Sequence, residues 1–183
     1  GLPTDPATAS RITRALSALE TTLARQCTPA VLAQLDACAT TVPALVTCLR
    51  RQAALAAIEV SEVAYGNLVR ITDAKRLRCQ KVIGRQAVNY TSVAGDALRA
   101  CLDRVNDGKL AGDAAQLCLG ADGPLGVISP TDTRTARKLA TAEQRLRSAL
   151  AQPCAGQAAP LDACGDDPAS VATCARCSGY REA

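Results

Sequence analysis

Between Cys79 and Leu110 apolar residues return every three or four positions: Cys79, Val82/Ile83, Ala87, Tyr90, Val93/Ala94, Ala97/Leu98, Cys101/Leu102 and Val105. That spacing puts them on one face of an α-helix. Asn106-Asp107-Gly108 then supplies the polar residues and the glycine that end such a helix. In a single helix Cys79 and Cys101 share the stripe but stand about 33 Å apart, at about 1.5 Å per residue. A disulfide needs Cα atoms within about 7 Å, so each must then bond a cysteine on another element. A hairpin folded between Asn89 and Gly95 would instead let the two meet. The single helix is the expected form, and the rest of the chain is expected to pack along it.

The core this helix faces must be built from small side chains. The chain of 183 residues has no Phe, Trp, Met or His and three Tyr, which leaves Ala, Leu, Val, Ile and Cys. Ala-rich helices approach closely but bury little area per contact, at roughly 25 cal/mol per Å². Ten cysteines, spread along the whole chain, are the expected compensation: Cys27, Cys38, Cys48, Cys79, Cys101, Cys118, Cys154, Cys164, Cys174 and Cys177. An even, dispersed set reads as a disulfide framework, each bridge contributing about 2–4 kcal/mol. Such a framework belongs to an oxidising compartment. The sequence starts at Gly1 and has no Met, so a secretory signal peptide is expected to have been removed, although an excised fragment would read the same way.

The chain divides by pattern into three parts. Residues 1–66 form a first helical cysteine module, 67–130 the central helix and a cysteine-containing loop, and 131–183 a second module. Ser10 is read as the cap of a first helix carrying Ile12, Leu16, Leu19 and Leu23. Thr28-Pro29 and Thr41-Val42-Pro43 start the next two, Thr72-Asp73 restarts the chain before the central helix, and Thr133 to Ala151 forms a last long helix. No segment reads as a strand.

The two outer parts are copies of one another. Ile12, Leu19, Leu23, Ala24 and Cys27 match Leu139, Leu146, Leu150, Ala151 and Cys154. Leu35-Asp36-Ala37-Cys38 returns as Leu161-Asp162-Ala163-Cys164, and Thr47-Cys48 as Thr173-Cys174, with the spacing changed by one residue between the blocks. Cys177 has no counterpart, since Arg51 holds its position. It is therefore the expected bridge to the central region, with Cys79 as one candidate, or to another subunit. The expected fold is all-α: a disulfide-stapled helical bundle or short helical repeat, duplicated around a long central helix.

The run from Cys79-Gln80-Lys81-Val82 to Leu110, Cys118 and the later Leu161-Asp162-Ala163-Cys164 and Val171-Ala172-Thr173-Cys174 blocks resemble a repeat of Ala- and Cys-rich secreted proteins of environmental bacteria. The resemblance implies an extracytoplasmic location and helical, disulfide-linked repeats. It brings no activity and no functional residue with it.

Familiar chemistries find little here. Cys174-Ala175-Arg176-Cys177 has the thioredoxin-like spacing but lacks the preceding strand of a βαβ unit. The absence of His removes c-type haem attachment and every His-based triad, and one CxxC without His is a poor zinc or copper site. Asp103 to Ala114 fails as a calcium loop at Val105 and Ala114. Glu59/Glu62 and Asp166/Asp167 have no apolar pocket to separate their pKa values. The net charge of +4 comes from interleaved signs on helix faces, and there are few aromatics to stack on bases, so no nucleic-acid partner is expected. No segment is apolar enough to insert in a membrane.

The sequence thus points to a non-enzymatic, extracellular structural subunit that needs no cofactor or metal. Modules repeated at both ends invite a heterologous head-to-tail contact between copies, giving a homopolymeric filament or surface layer. The other reading is a monomeric extracellular binding module or carrier of an apolar ligand.

Overall fold

The computed structural model describes residues 4–34, 38–66, 71–120, 128–161 and 165–177. Every regular element among them is helical. α1 (Pro6–Gln26) begins at Asp5, whose carboxylate accepts a hydrogen bond from Thr8 N at 2.7 Å, with Pro6 in the first turn. The start therefore lies ahead of the expected Ser10, because an Asp-Pro pair both caps the first turn and presets its φ. α2 (Pro29–Gln34) is capped by Thr28, whose Oγ1 accepts from Val31 N at 3.3 Å. α3 (Val42–Tyr65) ends before Gly66, which takes a positive φ of 43°.

α4 (Ala74–Asn106) is one unbroken helix. Asp73 caps its start by accepting from Arg76 N at 2.8 Å, and Gly108, with φ 69°, lies beyond its end. Lys109 N and Leu110 N then donate to Arg104 O, which uses a carbonyl that the helix end leaves open. A π-helical turn follows at Ala115–Leu119, then α5 (Thr133–Ala151), a short 3₁₀ turn at Ala159–Leu161, and α6 (Pro168–Cys177).

The chain forms two compact units, Gly1–Ala57 and Ile58–Ala183. In the second, α4 lays Ile83, Ala87, Tyr90, Ala94 and Ala97 against Leu139, Ala142, Leu146 and Leu150 of α5. Ala158, Leu161, Val171, Ala172 and Ala175 complete the same core. Half of its α4 residues are alanine, which is how a chain without Phe, Trp or Met brings two helices close enough to exclude water. The first unit is thinner. Leu32 and Leu45 are its buried apolar residues among those described, and α1 buries none of its own.

Three disulfides have both partners among the described residues. Cys79–Cys154 joins α4 to the turn after α5, with Cα atoms 4.8 Å apart. Cys101–Cys118 joins α4 to the π-helical turn, and Cys38–Cys48 ties the segment before α3 to that helix. Cys79 and Cys101 thus bond to separate elements, as a single helix requires. The suggested Cys177–Cys79 bridge does not form, because the end of α5 brings Cys154 to Cys79 first. These bonds mark an oxidising environment. Among the described residues no helix is long and apolar enough to cross a membrane.

Unequal burial of equivalent residues has a measurable consequence. Leu146→Ala, at a site 2% exposed, should lower unfolding stability by about 2–5 kcal/mol in a denaturant titration. Its counterpart Leu19→Ala should change it by less than about 1 kcal/mol.

Candidate functional site

The second unit contains one fully assembled seam, and it runs the length of α5. At its start Asp132 caps the helix, accepting from Thr135 N at 3.0 Å and Thr135 Oγ1 at 2.6 Å. Arg104, in the last turn of α4, donates to the same carboxylate at 3.1 Å. The Asp132 side chain is only 7% exposed. Its carboxyl is held below the usual carboxylate range, chiefly by the Thr135 hydroxyl and then by the Thr135 N–H and the Arg104 charge, against the opposing effect of burial. The Cys118 turn helps to set this geometry, since Thr131 N and Asp132 N donate to Gln116 O and Leu117 O.

From there Leu139, Leu146 and Leu150 cover α4, and the Cys79–Cys154 bond closes the far end. The late residue of α4 meets the start of α5, and the early residue of α4 meets the end of α5. The two helices are therefore antiparallel.

The duplication places a second version of this seam on α1. It also reaches further back than the helix pattern showed, because Pro3-Thr4-Asp5 repeats as Pro130-Thr131-Asp132 in the same register. Extending the repeat a few residues towards the N-terminus would have found it. Asp5 caps α1 through Thr8 just as Asp132 caps α5 through Thr135, and the Thr8 hydrogen bonds hold its carboxyl below the ordinary range. Ile12, Leu19 and Leu23 occupy the positions of Leu139, Leu146 and Leu150. Yet Asp5 is exposed, the three apolar residues are half-buried, and Cys27 carries a free thiol where Cys154 is bonded. Leu49 of α3 is 37% exposed, whereas its counterpart Ala175 is 4% exposed.

In contrast, Leu32 and Leu45 are as buried as their counterparts Ala158 and Val171. Ile12, Leu19, Leu23 and Cys27 of the first module, which are left open, are those whose counterparts at α5 and its end pack against α4 or bond to it. The Asp132–Arg104 contact itself left no trace in the sequence, because the partners are far apart along the chain.

The expected ten-cysteine framework is thus incomplete at Cys27. Cys174 is disulfide-bonded, with its partner outside the described residues. Cys164 and the side chain of Cys177 also lie outside them. A second feature is a solvent-open groove of about 700 Å³ between α4 and α5, with Tyr90 and Leu146 in its wall and Arg137, Lys138 and Arg145 around it. Comparison with protein-family models, curated proteins and solved structures finds no match to this chain.

Two outcomes follow from the seam and a third from the duplication. Asp132→Asn should lower stability at neutral pH by about 1–3 kcal/mol, the usual cost of losing charged hydrogen bonds. A depressed folded pKa stabilises above the ordinary value of 3.8 and is lost as pH falls through the folded one, so this deficit should shrink in acid denaturation series below pH 3.8. Replacing Cys79 and Cys154 together by Ala, which opens a separation of 75 residues, should cost about 4 kcal/mol in thermal unfolding. Peptide mapping without reductant should pair Cys174 with Cys164, the counterpart of the observed Cys38–Cys48 bond.

Proposed function

We propose that the protein is a secreted structural unit of an extracellular assembly, a filament or surface layer, joined head to tail to units of its own helical-repeat kind. The observation that carries this reading is the open seam of the first module. α1 repeats the apolar positions, capping aspartate and terminal cysteine of α5, but none of its residues is buried. An amphipathic helix left in this state exposes the surface that drives association. The contact is heterologous, because what α5 rests on is a helix of a different kind, and heterologous contacts propagate.

Durability outside the cell suits this role, since disulfides hold α4 at both ends. The reading is non-enzymatic. Asp5, Asp132 and Asp167, the carboxylates with lowered pKa, each accept hydrogen bonds from N–H groups in the first turn of a helix. Those bonds keep them ionised for capping rather than poised for proton transfer.

Negative-stain electron microscopy of the native protein, isolated without reductant from the extracellular material where it occurs, should show regular filaments or sheets. Dispersed particles of single-chain size at every concentration would overturn the assembly reading and favour a monomeric carrier that uses the α4–α5 groove.

A further inference from the structure

The seam inside the second unit specifies what the open face of the first module can accept. Along α5 it has three components in a fixed order: an arginine on the cap aspartate, an apolar and small-residue surface under the leucines, and a cysteine at the far end. α1 presents the complement to all three in the same register, with Asp5, then Ile12, Leu19 and Leu23, then Cys27. An apolar stripe alone would accept many partners. A stripe with an unpaired-by-cation carboxylate at one end and a free thiol at the other is far more selective, because charge and bond geometry fix direction and register.

We propose that α1 is the docking face for an α4-type helix of a neighbouring repeat, laid antiparallel along it and closed by a disulfide at Cys27. This rests on the assembly reading above and names its junction. The incoming helix carries the spacing of Cys79, Ile83, Ala87, Tyr90, Ala97 and Arg104. Its cysteine bonds Cys27, its small side chains cover Ile12, Leu19 and Leu23, and its arginine reaches Asp5. Covering the first module in this way also gives Leu49 the burial that Ala175 already has.

The helix is not that of an intact second copy. Residues 1–183 hold one α4 and two helices that fit it, and in the folded molecule α5 holds that position through Cys79–Cys154. Exchange between copies would only move the open face from α1 to α5. A further repeat with a vacant seam fills it without opening a bond. Forming the junction disulfide removes one hydrogen from each of two thiols. A low-molecular-weight disulfide takes them up and is reduced to two thiols.

The test extends the full chain at its N-terminus with a second copy of residues 74–127, running directly into Gly1. The register is then that in which α4 precedes α5. In a glutathione redox buffer, peptide mapping should find Cys27 bonded to the added counterpart of Cys79. Alkylation of Cys27 under native conditions should slow by at least roughly tenfold against the unextended chain, as burial of a protected site requires.

With Cys27→Ser in the extended chain no bond can form, yet amide hydrogen exchange along α1 should still slow. Adding Leu19→Asp should return it to the unextended rate. Unchanged Cys27 alkylation together with unchanged α1 exchange would overturn the proposal. So would a Cys27–Cys27 dimer of the unextended chain with equally protected α1 amides, which would assign the face to a symmetric second copy. Failure of native imaging would remove the assembly reading without altering these readouts. Failure here would leave an assembly built through another surface.

Discussion

The packing of α5 on α4 is the contact on which the second unit depends. With alanine as its commonest core residue, the pair excludes water by close approach rather than by bulk, and close approach demands that neither helix slide. The ends of the seam supply that constraint. Cys79–Cys154 fixes one end covalently, and Asp132 under Arg104 fixes the other. A buried carboxylate would be costly alone, but here it accepts from a hydroxyl, a backbone N–H and a guanidinium together. The second disulfide on α4 contributes indirectly, because the Cys118 turn supplies the carbonyls that orient Thr131 and Asp132.

The first module shows the same sequence pattern with α1 burying none of its residues. Its local features survive. The Asp5 cap forms, the Cys38–Cys48 bond forms, and Leu32 and Leu45 are buried. The features that need a long partner do not, and they remain as a half-buried stripe ending in a free thiol. Local hydrogen bonds and short loop closures are satisfied within a few residues, whereas burial of a helix face requires a second surface. The difference between the modules therefore lies in the burial of the helix stripe, not in the local caps and loop closures.

This gives an array logic to the chain. An α5-type helix, an α4-type helix and a second α5-type helix follow one another, so every junction pairs unlike elements and each α4 serves one of its neighbours. Repeat proteins gain stability from such nearest-neighbour interfaces.

Much of the architecture was legible in residue spacing alone. The unbroken α4 follows from the three-four stripe, α5 from Thr133 to Ala151 from its leucines, and the duplication from matched cysteines and the repeated Leu-Asp-Ala-Cys block. These are short-range regularities, and helical periodicity and capping are set by residues within a turn or two. Ser10 was the wrong cap because proline and aspartate just ahead of it start the helix sooner. The disulfide partners, the Arg104–Asp132 pair and the free state of Cys27 were not legible. They depend on which distant segments the packing brings together, and α4 can hold only one of the two helices made to fit it. The sequence by itself determined two equivalent claimants for that position; the tertiary structure decided that α5 takes it, because the disulfide-closed connection from α4 delivers Asp132 to Arg104 and Cys154 to Cys79 within one compact unit.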